Sequence, residues 1–189
     1  TGVCFTTPRP AWAAAAMSAA SIWGRSIAPR TVVVMRALLI ANASDADPGF
    51  VGERLRHHGY AFDECHRETP GEWPALEGHD LVLSLGSDWS VYWDDVAHPV
   101  GVEAALIADA HRRGIPVFGI CFGSQVTAHA LGGSVERGRR HELGWFEVDS
   151  ARPDEVPPGP WFQWHGDVVT VPADATVVAS NDLCPQAWR

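Results

Sequence analysis

The chain has 189 residues, 46% of them hydrophobic, which is enough for one domain with a substantial core. Its formal net charge of −9 argues against a nucleic-acid surface, because phosphate binding needs clustered Lys and Arg. All 14 basic residues are arginine, so a P-loop lysine and a Schiff-base lysine are both excluded.

Residues 1–34 differ in composition from the rest of the chain. They contain three Arg, no Asp or Glu, and an alanine run at 13–16, which resembles an organellar transit peptide. Because Met35 immediately precedes a well-formed strand, we instead expect translated upstream sequence or a fragment edge that is disordered and lies outside the domain. The domain is then predicted to span residues 35–189.

From Met35 onwards the pattern alternates between apolar strands and helices. Strands are predicted over residues 36–42, 60–65, 80–85 and 115–120, and helices over about 48–58, 99–113 and 124–131. This alternation predicts an α/β fold with a doubly wound, mostly parallel sheet and helices on both faces. In such sheets the ligand lies beyond the carboxyl ends of the strands, which is where Gly86 and Cys121 fall.

After Gly132-Gly133 the pattern changes to shorter strand-like pieces. They are predicted over residues 134–138, 144–148, 161–164, 168–171 and 176–179. No internal repeat or second domain is visible, so these pieces are expected to complete the same domain.

The most informative stretch is Gly119–Gln125, Gly-Ile-Cys-Phe-Gly-Ser-Gln, directly after an apolar run. A buried strand that turns sharply into a helix, with cysteine at the corner and glycines on both sides, has the pattern of a nucleophile elbow. The amides at the start of the following helix favour the thiolate, which is the form that attacks. Cys121 is therefore predicted to be a nucleophile, although a cysteine after a buried strand can also be a small core residue.

The other cysteines are Cys4, Cys65 and Cys184, and they are widely scattered. No pair has Cys-x-x-Cys spacing and no His cluster has zinc spacing, so we expect no metal and a reduced, cytoplasmic setting. No apolar run approaches the roughly 20 residues of a membrane helix, so no membrane association is expected.

Four segments, in order, resemble the class I glutamine amidotransferases. They are Leu85-Gly86-Ser87, the Gly-x-Cys-x-Gly-x-Gln motif, His141–Trp145, and Trp164–Asp167 together with Cys184–Ala187. The likeness covers about residues 36–189 and is greatest to stand-alone members similar to the amidotransferase domain of GMP synthase. It implies a flavodoxin-like fold.

The resemblance implies that glutamine, or a γ-glutamyl small molecule, is hydrolysed through a thioester on Cys121 with release of ammonia. Backbone amides near Gly86 and of Phe122 would form the oxyanion hole, and Gln125 would help to hold the substrate. Gly144 and Trp145 would border the pocket. No cofactor is implied. On the residues alone, Gly86 could simply end a strand and Gln125 could be an exposed helical residue.

The family's general base is a histidine in a late His-Pro-Glu motif, which follows the segment matched here by Gln186-Ala187-Trp188. Because the sequence stops at Arg189, we expect a C-terminally truncated and inactive fragment with an unpaired sheet edge where the missing strand would lie. His165 is not the family's base, and that role is not assigned to it.

Three alternatives remain open from the sequence. The chain could be a γ-glutamyl hydrolase, an inactive binding or regulatory relative that lacks the His-x-Glu pair, or a cysteine α/β-hydrolase. No synthetase domain is attached, so transfer of ammonia to an acceptor would need a separate synthetase partner.

Overall fold

The computed structural model describes residues 2–6 and 34–189, and of Phe5 only the backbone. Within these ranges the chain forms nine strands and three α-helices. The strands are β1 (Val3–Phe5), β2 (Met35–Ala41), β3 (Tyr60–His66), β4 (Leu81–Ser84), β5 (Val117–Ile120), β6 (Ser134–Ser150), β7 (Gly159–Thr170), β8 (Val177–Ser180) and β9 (Pro185–Trp188). The helices are α1 (Gly49–His57), α2 (Ala97–Arg112) and α3 (Phe122–Ala130).

The described strands form one sheet in the order β3-β2-β4-β5-β1-β9-β8-β6-β7. Strands β3, β2, β4 and β5 are parallel to one another. The pairs β6·β7, β6·β8 and β8·β9 are antiparallel. The predicted α/β class is confirmed, and the antiparallel half accounts for the change in sequence pattern after Gly133.

Helices cover both faces of the parallel half because the side chains of a strand alternate between faces. On β2, Leu38 and Ile40 pack in an apolar cluster with residues of α2 and α3. Leu39, between them, packs on the opposite face in a cluster with residues of α1. Among the described residues no helix is both long and apolar enough to cross a membrane.

Strand β1 lies inside the sheet, between β5 and β9. Val3 is opposite Ile120 in an antiparallel pair and opposite Ala187 in a parallel pair. The composition of residues 1–34 predicts that they lie outside the domain. Val3–Phe5, however, forms a strand at the centre of the domain's sheet. Residues 7–33 of that segment lie outside the described residues. The expected unpaired sheet edge is not found at β5 or β9 in the described part of the chain, because β1 lies between these two strands and pairs with both.

The segment after Gly133 forms longer strands than predicted. Strand β6 runs without a break from Ser134 to Ser150, where the sequence suggested two pieces, and its register against β7 shifts between Arg137 and Glu142. The two strands form a long antiparallel ribbon at one edge of the sheet. Four apolar side chains on its outer face are exposed: Leu143, Trp145, Phe162 and Trp164.

Candidate active site

The parallel strands end at one edge of the sheet, and each is followed by a residue of the site. Asn42 follows β2, Arg67 follows β3, Leu85 and Gly86 follow β4, and Cys121 follows β5. This is the edge at which doubly wound sheets bind their ligands, as predicted.

Cys121 occupies a strained corner between β5 and α3. Its φ of 55° and ψ of −112° make it the one non-glycine residue with positive φ among the described residues. Its carbonyl accepts a hydrogen bond from the amide of Gln125 at 3.1 Å, which starts the first turn of α3. A non-glycine residue held at positive φ is the backbone signature of a nucleophile elbow.

The two glycines that flank the elbow are required by close packing. A Cβ on Gly119 would lie 2.5 Å from the carbonyl carbon of Gly123, and a Cβ on Gly123 would overlap the backbone of Ser84. The amide of Gly123 also donates to the carbonyl of Leu85 at 3.1 Å. The Gly-x-Cys-x-Gly spacing therefore brings the start of α3 against the end of β4.

The Cys121 thiol is half-buried. Its Sγ lies 3.6 Å from the carbonyl oxygen of Trp164 on β7. Burial raises the pKa of Cys121 above its ordinary value, although the backbone amide of Phe122 acts in the opposite direction. The expected stabilisation of the thiolate by the helix start is thus present but outweighed by desolvation.

The two residues predicted for the oxyanion hole both adjoin Cys121. A Cβ on Gly86 would stand 3.5 Å from the Cβ of Cys121, so the loop after β4 passes directly beside Cys121. Phe122 is fully buried at the first position of α3, and its amide contacts the thiol.

A cleft opens beside Cys121. Its lining includes Gln125, His165, Asp167, Cys184 and Gln186. Gln125 is buried, so it is not the exposed helical residue that the sequence alone also allowed. The Asp167 carboxylate accepts hydrogen bonds from the hydroxyls of Ser90, at 2.6 Å, and Tyr92, at 2.9 Å. These bonds tie the loop after Gly86 to the cleft wall.

A buried carboxylate organises the far wall of the cleft. Glu142 is completely buried and accepts hydrogen bonds from Arg140, Asn181 and Gln186. Nε2 of His165 lies 3.1 Å from Glu142, and Nδ1 lies 2.9 Å from the carbonyl oxygen of Asp167. Both ring nitrogens of His165 therefore have partners other than Cys121.

Gly144 and Trp145, predicted to border the pocket, are not among the residues that line this cleft. Trp145 is 71% exposed on the outer face of the ribbon, where its ring meets Phe162 edge-on at 5.9 Å between centroids. Glu142, three residues before Trp145, is buried on the opposite face, because residues an odd number apart on a strand face opposite sides. The predicted segment adjoins the site through Glu142.

Sequence reasoning missed Arg67 and Glu103, which form a fully buried ion pair next to Gly86. A signal was present in α2, whose buried residues are Val100, Glu103, Ile107 and Ala110. Their spacing describes one helical stripe that faces the core. A carboxylate in such a stripe needs a buried partner, and this points to a basic residue elsewhere in the fold.

Fold and site together define an α/β protein with a cysteine at a strained strand-to-helix turn, at the carboxyl end of its parallel strands. The sequence model of the family "Glutamine amidotransferase class-I" matches residues 91–187. The chain belongs to this family.

Curated relatives carry the name GMP synthase (glutamine-hydrolyzing). One from Corynebacterium efficiens is 32% identical over 159 residues, covering 80% of this chain and 29% of the relative. One from Klebsiella pneumoniae is 41% identical over 90 residues, covering 40% of this chain and 17% of the relative. This chain thus spans less than a third of the length of these relatives.

A solved structure of a glutamine amidotransferase from Thermotoga maritima is also similar. It has a TM-score of 0.69 and 29% identity, with 82% of this chain and 74% of that chain covered. The fold is shared as well with a glutamine amidotransferase from Methylobacillus flagellatus, at a TM-score of 0.65 and 22% identity over 80% of this chain and 63% of that one.

Proposed function

We propose that Cys121 is the nucleophile for hydrolysis of the side-chain amide of glutamine through a thioester. Turnover should be slow, because both ring nitrogens of His165 have partners other than Cys121. Sγ forms a bond to the amide carbon, the carbon–nitrogen bond breaks, and the nitrogen leaves as ammonia with the thiol's proton. Water then cleaves the thioester to give glutamate and free thiol. The observation that carries the proposal is the strained Cys121 corner, with Gly86 and the Phe122 amide beside the thiol.

The oxyanion of each tetrahedral intermediate would be held by backbone amides near Gly86 and of Phe122. Such donors act in a partly water-excluded site and need no reorganisation when charge develops, which makes them effective. The burial that raises the pKa of Cys121 also strengthens these interactions, because both effects follow from a low local polarity.

The cleft offers groups for the two ends of glutamine. The amide end would lie at Cys121 with Gln125 beside it, and the α-ammonium group would meet the Asp167 carboxylate. Ser90 and Tyr92 occupy only two acceptor sites of a carboxylate that has about four, so Asp167 retains capacity for a ligand.

The relatives named GMP synthase join glutamine hydrolysis to a synthetase reaction in one longer chain. We infer that ammonia released at Cys121 serves an acceptor bound by a synthetase partner. Plain hydrolysis of γ-glutamyl compounds is the competing use of the same cysteine, and a comparison of glutamine with γ-glutamyl amides as substrates separates the two.

Labelling of Cys121 tests the proposal without requiring turnover. The chloromethyl ketone analogue of glutamine should alkylate Cys121, as located by mass spectrometry, and excess glutamine should protect it. Cys121→Ser should abolish both labelling and any measurable glutamine hydrolysis. Labelling elsewhere, or hydrolysis that survives this substitution, would show the proposal to be wrong.

A further inference from the structure

The guanidinium of Arg67 is fully buried and bonded on every side. Its three nitrogens donate to six acceptors at 2.8–3.2 Å: both carboxylate oxygens of Glu103, the side-chain oxygens of Asn42 and Ser84, and the carbonyls of Leu85 and Gly86. Taking a cation out of water is costly unless all its donors are satisfied, and here they are.

Two of these bonds fix the loop predicted to stabilise the oxyanion. Arg67 donates to the carbonyl of Leu85 at 2.9 Å and to that of Gly86 at 3.1 Å. In a trans peptide the C=O and the following N–H point in opposite directions. With both carbonyls held towards Arg67, the amides of Gly86 and Ser87 point away from it.

The same guanidinium also packs against the start of α3. Its central carbon lies 4.7 Å above the ring centroid of Phe122, the residue after the nucleophile. Arg67 thus contacts the backbone of the loop after β4 and the side chain of Phe122, the two segments that adjoin Cys121. Glu103 on α2 forms an ion pair with it.

We propose that Arg67 is a positioning residue that sets the geometry of the oxyanion hole by clamping the Leu85–Gly86 carbonyls and the Phe122 ring together. The inference rests on the proposed function of Cys121. Arginine suits this role because its planar fork reaches several acceptors at fixed angles and stacks on an aromatic ring, whereas a lysine ammonium is a flexible point charge.

Two electrophiles separate this role from a purely structural one. With the chloromethyl ketone analogue of glutamine, Sγ displaces chloride while the ketone oxygen lies where the oxyanion would form. With iodoacetamide, Sγ displaces iodide and the reagent needs no oxyanion hole. The rate of alkylation of Cys121 by the ketone, divided by its rate with iodoacetamide, therefore reports the oxyanion hole. Changes in thiolate content cancel in this ratio, because they affect both rates.

In Arg67→Lys, which keeps the charge, we expect the ratio to fall by about tenfold or more; loss of a whole oxyanion donor costs about 10²–10³ in rate. The fall should lie in the maximal inactivation rate of the ketone, with its half-saturating concentration little changed. Arg113→Lys, at an exposed arginine paired with Asp109 and Glu77, is the control and should leave the ratio unchanged.

A second variant covers the case in which Arg67→Lys does not fold. Arg67→Met combined with Glu103→Leu removes both buried charges, and replacements of this kind are commonly neutral for stability. It should fold and lose the ketone preference. A folded Arg67→Lys or double variant that retains the wild-type ratio would overturn the role of Arg67. A wild-type protein with no ketone preference would instead overturn the proposed function.

Discussion

Gly123 at the start of α3 lies directly against the backbone of Ser84 at the end of β4, so closely that a Cβ would overlap the Ser84 carbonyl. This contact lets α3 approach the sheet and places Cys121 beside the loop after β4. The second glycine of the elbow motif is therefore required by the packing of α3 on the end of β4, in addition to the turn itself.

Replacement of this glycine should be costly. We expect Gly123→Ala to lower the free energy of unfolding by about 2–3 kcal/mol, because backbone atoms of Ser84 cannot move aside as a flexible side chain would. Urea denaturation followed by tryptophan fluorescence measures this. Gly101→Ala in α2 is the matched control, because no atom lies within 4 Å of its new Cβ. A helical alanine there should stabilise by about 0.5–1 kcal/mol. Equal effects at both positions would contradict the packing argument.

The thiol of Cys121 should be less acidic than an ordinary cysteine thiol. Burial raises its pKa and disfavours the thiolate, so its alkylation rate with iodoacetamide should reach half its maximum above the ordinary range near about 8.5. The same cysteine in the urea-unfolded chain provides the reference. Cys184, whose pKa burial raises to about 11, should become reactive only at still higher pH. A midpoint for Cys121 below that of the unfolded chain would mean that the helix start outweighs burial.

The Asp167 carboxylate should contribute to substrate binding. Asp167→Asn keeps the size of the side chain but removes its charge, so the half-saturating concentration of the chloromethyl ketone should rise by about tenfold, as for loss of a charged hydrogen bond. The maximal inactivation rate should change little. Asp174→Asn, at an exposed position, is the control. An unchanged half-saturating concentration in Asp167→Asn would remove this residue from the binding site.

Glu142 should be a major stabilising residue of the β6–β7 ribbon. Glu142→Gln places an amide among donors from Arg140, Asn181 and Gln186, and unfolding should become easier by about 2–4 kcal/mol. Thermal denaturation tests this. Glu147→Gln, at an exposed position on the same strand, should change stability by less than about 0.5 kcal/mol. A Glu142→Gln protein as stable as the Glu147 control would show that the network contributes little.

The parallel half of the fold could be predicted from the sequence because its signals are local. The strand-to-helix turn at Cys121 needs only an apolar run and two glycines, all within residues 115–123. The length of β6 could not be predicted in this way. Its residues 138–141 carry three charged or polar side chains and no strand signal, and they are extended because β7 lies beside them.

The class of fold, the prediction of Cys121 as nucleophile and the loop at Gly86 all came from the sequence, since each depends on residues adjacent in the chain. Which distant groups meet at this site emerged only from the folded chain. Arg67 and Glu103 are 36 residues apart, and Arg67 and Gly86 are 19 apart. The strand Val3–Phe5 pairs with β5 more than 100 residues away. Hydrogen bonds and ion pairs of this kind leave no periodic pattern, because they depend on where the sheet brings the ends of separate strands together.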